Sequence, residues 1–413
     1  MNKNLIFYIS NASQLGLRFI QMIVITRYLS KVDLGVYYAS AAYPQLLSRI
    51  FDLGLPHAVR YYILQVPSAA RFIVKLVLIF SLFISLPIMI IFYFIEKLPL
   101  ESGEISFILS DNFVVLGFYC VFLIVNSIFY CIVISFEKYN AVLLTSTLPY
   151  LIFIVAIMIQ FNIFHLEVGD ILFQFLVSEM VAFLIYSIFI AKIITNNNAH
   201  TVQLSLRSLD VFKYALQVYP SGFLKIMTTR LDKVILSFIA APVFIGYYSV
   251  LMTIRDISIF PITSYGQVFM NNLSMAFKMK GQGIQKKIDK SILGILILYS
   301  AGFVVFLFVQ DIVLKLFFKE ITNDTYRAAF FLLLSAIPLA LLSFLSTIFL
   351  ITNSPKHVSF ASIIGIGTFY GFVSLFYGWL GSDSFFYASV LSVLAEFIYL
   401  FVNYRVLLSK KML

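Results

Sequence analysis

The sequence predicts an all-α polytopic membrane protein, with twelve transmembrane helices in two six-helix bundles related by an internal repeat. Three observations carry this. Of 413 residues, 61% are hydrophobic and only 12% charged, and the mean hydropathy is +0.98; a soluble domain carries roughly 25% charged residues. Twelve segments reach the ~20 mostly apolar residues that a helix needs to cross a bilayer. The connections between them alternate in charge. A transmembrane β-barrel would alternate polar and apolar residues along each strand, and runs such as 72–94 do not.

The segments are 7–29, 33–55, 72–95, 113–135, 140–162, 170–193, 211–239, 244–270, 289–309, 326–351, 358–380 and 384–408. The first is interrupted by Asn11, Gln14, Arg18 and Gln21, so it does not read as a cleavable signal and should stay in the mature protein. The second carries Gln45, Arg49 and Asp52. The third to fifth are nearly pure apolar, and the sixth holds one acid, Glu179. The seventh carries Tyr214, Gln217, Ser221, Lys225, Thr228 and Asp232 at steps of three or four, which places all six on one helical face. Arg230 and Lys233 lie beside that stripe. The eighth holds Arg255 and Asp256, the ninth to eleventh return to apolar, and the twelfth holds Glu396. Pro44, Pro87, Pro149, Pro220, Pro261 and Pro338 fall in or near these helices, each freeing a carbonyl, as a static kink or a hinge.

Charge sets the orientation. The odd-numbered connections hold five basic and eleven acidic residues, a balance of −6. The termini and even-numbered connections hold seventeen basic and three acidic, a balance of +14. Cytoplasmic loops are rich in Lys and Arg, so both termini are expected in the cytoplasm. Much of the formal +10 is therefore topological and implies no nucleic acid partner. The short basic loops suit anionic lipid headgroups or serve only as orientation signals.

The halves look related. Leu34-Gly35-Val36-Tyr37 follows the first segment and Ile245-Gly246-Tyr247-Tyr248 follows the seventh, 211 residues on. Arg18 precedes its glycine by 17 residues and Arg230 by 16. The expected domains are 1–199 and 200–413. Parallel repeats with substrate bound near midplane are one transporter plan.

Of the charges inside spans, nearly all lie in segments 1, 2, 7 and 8, seven basic against three acidic. A charge in the bilayer costs several kcal/mol unless it faces protein or water. A shared cavity lined by those helices would suit a phosphate-bearing solute, because Arg grips phosphate oxygens in pairs. Candidate substrate contacts are Arg18, Arg49, Lys225, Arg230, Arg255, Gln14, Gln21 and Gln217. Asp52, Asp232 and Asp256 are candidate gating charge pairs, with Asp256 expected to find its partner on another segment and Arg49 or Arg18 expected across the halves. Glu179 and Glu396 are candidate coupling acids. The other reading of each charge is that it only locks helices together. Tyr61, Tyr62, Tyr214, Tyr219, Tyr247, Tyr248 and Tyr265 suit sugar faces, or anchor the chain at the membrane surface.

No enzyme constellation stands out. His57, His165, His200 and His357 lack metal-ligand spacing, and no phosphate-cradling glycine loop or Asp-x-Asp occurs. Neither a metal nor another cofactor is expected. Cys120 and Cys131 are 11 residues apart on one expected helix, about 16 Å at 1.5 Å per residue, too far to bridge.

Arg27 through Tyr37, then Asp52-Leu53-Gly54-Leu55 with Arg60-Tyr61, resemble the O-antigen/polysaccharide flippase family. So do Arg230-Leu231-Asp232-Lys233-Val234-Ile235-Leu236 and Ile245-Gly246-Tyr247-Tyr248. That family shares a superfamily with multidrug/toxin extrusion antiporters and lipid II flippases. The resemblance implies two bundles in a V, a central cavity lined by helices 1, 2, 7 and 8, and a place in the bacterial cytoplasmic membrane. It implies movement of an undecaprenyl-diphosphate-linked oligosaccharide to the outer leaflet, with membrane lipids and the polymerase and chain-length proteins of the same pathway as partners. The first segment lacks the acid of drug-extruding relatives, which favours the flippase branch. A cation-coupled drug antiporter stays open. A membrane-embedded polymerase or acyltransferase would want a long charged external loop or a membrane His, and neither is seen.

Overall fold

The computed structural model describes residues 3–95, 108, 111–163, 167–196, 208–278, 284–318, 321–351 and 354–409. Among them there is no strand. The helices are α1 (Lys3–Tyr28), α2 (Lys31–Phe51), α3 (Leu55–Gln65), α4 (Ala70–Ile95), α5 (Phe113–Ser135), α6 (Tyr139–Ile163) and α7 (Val168–Asn196). They continue as α8 (Ser208–Ile239), α9 (Pro242–Lys278), α10 (Ile284–Phe317), α11 (Asn323–Leu334), α12 (Ala336–Ile351), α13 (Pro355–Leu380) and α14 (Ser384–Ser409). Every expected segment falls largely on helix. Seven stretches of described residues are long and apolar enough to cross a membrane. Large apolar side chains such as Leu82, Phe83, Phe308 and Trp379 stand exposed on the outer faces, as lipid contact requires.

Local chemistry sets the helix ends. Ser30 caps α2, its hydroxyl accepting the Asp33 N–H at 3.1 Å, and Asp33 adds an acid to the first turn. Thr322 and Thr325 cap α11 reciprocally. Pro355 opens α13 at a position that needs no N–H.

Two expected segments are broken. Segment 33–55 ends at Phe51, and α3 follows as a separate helix after a tight turn. Leu53 (φ 49°) and Gly54 (φ 75°) both take left-handed backbone there, and Asp52 Oδ1 accepts the Gly54 N–H at 2.9 Å. Segment 326–351 divides between α11 and α12 at Ser335. Pro338 lies just beyond, and proline has no N–H for the carbonyl four residues back.

The chain forms two compact units, residues 1–246 and 247–413, the boundary falling inside α9. The expected division at 199/200 rests on the repeat rather than on compactness. In the first unit α1 packs on α6, α5 on α4 and α7, and α2 and α3 on α8. Specific contacts explain why α8 joins this unit. Tyr43 and Ser237 share a hydrogen bond of 2.7 Å, and the Tyr219 hydroxyl donates to the Ile50 carbonyl at 2.9 Å. A Cβ at Gly54 would lie 2.5 Å from the Ala215 carbonyl. The two repeat glycines also meet: a Cβ on Gly246 would come within 2.9 Å of the Gly35 N, and one on Gly35 would overlap the Pro242 backbone. In the second unit α13 packs along α14, and Ile262, Ile288, Ile295, Phe344, Phe349 and Tyr404 build the core.

Candidate functional site

The first unit holds a polar centre built from helices α1, α2, α5, α6, α7 and α8. Arg18 of α1 donates from Nε to the Tyr150 hydroxyl of α6 at 2.8 Å, with its guanidinium 5.6 Å from that ring's centroid. One tyrosine thus fixes the fork both by a charge-assisted hydrogen bond and by its π-face. Glu179 of α7 interacts electrostatically with Arg18. Asn126 of α5 holds that acid, donating from Nδ2 to Glu179 Oε2 at 2.6 Å and to the Glu179 carbonyl at 2.9 Å. Asn126 is 7% exposed, and its Oδ1 is buried without a hydrogen bond.

Tyr119 of α5 extends the centre. It interacts electrostatically with Glu179 and with Arg230 of α8. Arg230 also acts on Tyr37 of α2. Arg18 and Glu179 are thus linked directly, and Arg230 is linked to Glu179 only through Tyr119. Lys233 is buried with its ammonium 5.5 Å from the Tyr38 ring centroid, and Asp232 beside it is 2% exposed. Asp232 Oδ1 accepts the Lys233 N–H at 2.8 Å.

The other expected site residues spread out. Gln14 is half-buried, Gln21 buried and Gln217 exposed. Lys225 lies in α8, with its side chain outside those described. Arg49 is exposed and pairs with Asp52 at 3.5 Å, within one turn of α2.

In the second unit Arg255 is 4% exposed and held by protein groups. Its Nη1 donates to Ser389 Oγ of α14 at 2.7 Å, and Nε and Nη2 donate to Asp256 Oδ1 at 3.3 and 3.1 Å. This corrects the expectation that Asp256 looks to another segment. The two Cα–Cβ bonds diverge, but the long Arg255 side chain bends back around its own helix. Arg255 and Asp256 thereby fasten α9 to α14. Glu396 is buried against Gly365, whose missing Cβ leaves the room its carboxylate fills. Elsewhere in this unit a small cavity of about 40 Å³ lies between Tyr247, Asp324, Arg327, Phe331, Asp383 and Tyr387.

Sequence reasoning missed Asn126, Tyr119 and Tyr150. Asn126 left a signal, being the sole amide side chain in an otherwise apolar 113–135. Tyr119 and Tyr150 left none, since a lone tyrosine in a membrane helix is ordinary. Among the described residues no group of His, Cys, Asp and Glu is placed to hold a metal ion.

Comparison places this architecture. Residues 2–270 match the family profile described as "Polysaccharide biosynthesis protein". No curated protein sequence matches. Among solved structures, the lipid II flippase MurJ in an inward closed conformation aligns with TM-score 0.76 at 16% identity, over 97% of this chain and 87% of that one. An inward-facing multidrug resistance MATE transporter of the MOP superfamily gives 0.69 at 14%, over 98% and 95%. A MOP superfamily transporter from Pyrococcus furiosus, described as having a binding pocket of reverse polarity, gives 0.71 at 14%, over 98% and 96%. At these identities the likeness is one of fold.

Proposed function

The chain belongs to the polysaccharide biosynthesis protein family, and from that premise we propose that it is a flippase for an undecaprenyl-diphosphate-linked oligosaccharide, an O-antigen or capsule repeat unit. It moves that lipid across the bacterial cytoplasmic membrane by alternating access and is not an enzyme. The observation that carries this reading is the centre around Arg18 and Arg230. Two guanidinium groups, on the polar-striped helices α1 and α8, offer paired donors to a diphosphate and stay charged at any physiological pH. Tyr150 pre-sets the Arg18 fork, so less of its freedom is lost when phosphate arrives.

The proposed architecture has twelve spans in bundles 1–199 and 200–413, arranged in a V, with both termini cytoplasmic. Gln14, Gln21, Gln217, Arg49 and Lys225 extend the substrate path. Arg255 reads better as a fastener, given its partners. Asp52 and Asp256 neutralise cations nearby, and Asp232 keeps the gating role. A cation-coupled antiporter is the second reading, favoured by the fold shared with multidrug transporters and by Glu179, an acid held ready by Asn126.

The deciding experiment reconstitutes the purified chain in proteoliposomes with the lipid-linked oligosaccharide fraction of its host and follows exposure of the glycan by leaflet. Transport that fails in Arg18→Ala supports the flippase. If vesicles with the protein equilibrate the lipid no faster than empty ones, the proposal is wrong. Ion-driven export of a cationic dye by the same vesicles would favour the antiporter.

A further inference from the structure

At one end of the first unit three tyrosines are gathered that the centre above does not use. Tyr61 and Tyr62 stand on α3 and Tyr214 on the first turns of α8. The Tyr61 and Tyr214 rings stack face to face, centroids 4.3 Å apart and planes at 14°. Tyr62 meets both edge-on, at 5.2 and 5.9 Å. Its hydroxyl donates to the Asp210 carbonyl at 3.2 Å, which fixes the ring. Among the described residues the Tyr61 and Tyr214 hydroxyls have no protein hydrogen-bond partner. Tyr61 is 39% exposed, and Arg60 and Lys213 stand exposed beside the group.

The chain assembles this group deliberately. The Asp52-Leu53-Gly54 turn ends α2 so that α3 starts afresh and lies on α8, and Gly54 lets the Ala215 carbonyl approach. Tyr214 is also the first member of the polar stripe that runs through Gln217 to Asp232, so the rings stand where that stripe begins. In the proposed topology this is the cytoplasmic end, where a lipid-linked sugar must enter. A membrane-surface anchor asks only that rings sit at headgroup depth, which leaves the mutual stacking here unaccounted for. Rings stacked on one another, with hydroxyls that no described residue engages and with flanking cations, make a rigid platform instead. An aromatic face takes the C–H face of a pyranose, while the hydroxyls and cations meet sugar hydroxyls or acidic substituents.

We infer that Tyr61, Tyr62 and Tyr214 form a carbohydrate-binding platform that receives the sugar portion of the substrate at the cytoplasmic mouth. The inference rests on the flippase reading for its ligand. Two measurements on the full chain test it. In proteoliposomes, Tyr61→Ala and Tyr61→Leu should slow movement of the host's lipid-linked oligosaccharide about five- to tenfold, a ring-stacking effect, while Tyr61→Phe stays near wild type. Movement of sugar-free undecaprenyl diphosphate should be unchanged in all three. In detergent, oligosaccharides released from the same fraction by mild acid should bind the wild type and lose saturation-transfer signal with Tyr61→Leu. Equal slowing of both lipids would assign the tyrosines to helix packing or lipid anchoring and overturn the platform. So would wild-type binding of the released glycans that Tyr61→Leu leaves intact, or no wild-type binding at all. If the wild type moves neither lipid, the flippase reading fails alone, and the glycan-binding measurement decides the platform.

Discussion

At the scale of single residues, the decisive distinction is between charges held by protein and charges left open to a ligand. Arg18 is exposed and held at one edge by Tyr150, so its Nη groups remain available. Tyr150→Phe keeps the ring and loses the hydroxyl; a hydrogen bond to a charged group is worth about 1.5–3 kcal/mol. We expect Tyr150→Phe to weaken transport, Arg18→Lys to weaken it more by losing the fork, and Arg18→Ala to abolish it, each read as initial flux in proteoliposomes. Full flux in Arg18→Ala would make the cation structural. Arg255 lies at the other extreme. Asp256→Asn leaves a buried guanidinium without its counter-charge, and breaking a buried pair from one side costs about 3–5 kcal/mol. Discounting for the exposed Asp256 carboxylate, whose side chain is 44% accessible, the loss should fall toward the lower part of that range and appear as a lowered Tm in detergent. An unchanged Tm would return Arg255 to the substrate path. From sequence alone these two arginines looked alike, because their partners on α6 and α14 are 132 and 134 residues away along the chain.

At the scale of elements, the apolar runs made the helices legible, since the run length needed to cross lipid is fixed by bilayer thickness. What stayed hidden was interruption. Nothing in the composition of 33–55 shows that Asp52 turns its carboxylate onto the Gly54 N–H and ends α2 early. Likewise Pro338 announced a kink but not that the helix would divide. The repeat glycines were visible as a pair, and the structure gives a reason: Gly35 and Gly246 let the first turns of α2 and α9 touch, backbone against backbone. Gly35→Ala would drive its Cβ into the Pro242 backbone, which cannot yield as a side-chain tip could. Overpacking of this kind typically costs about 1–3 kcal/mol, so Gly35→Ala should lower Tm, while Gly16→Ala, with open space around it, should not. Equal Tm values for the two variants would mean that this contact contributes nothing to stability.

For the whole molecule, orientation in the bilayer is the property that charge alone encodes, and it decides which end of the polar stripe admits substrate. The balance of −6 on one set of connections against +14 on the other is read from the full chain. Part of the negative set, including 101–107, lies outside the described residues, as does 279–283 of the positive set. The positive-inside bias acts during insertion through Lys and Arg in short loops, so it does not depend on how those loops fold. Gln285, exposed at the start of α10 among Lys286, Lys287 and Lys290, is therefore expected in the cytoplasm, and Ser102 outside. The native thiols interfere little, because Cys120 is buried and Cys131 half-buried. A membrane-impermeant maleimide added to intact cells should label Ser102→Cys and spare Gln285→Cys until the membrane is opened. The opposite pattern would invert the protein, place the tyrosine platform on the outer side, and turn the entrance proposed for the sugar into an exit.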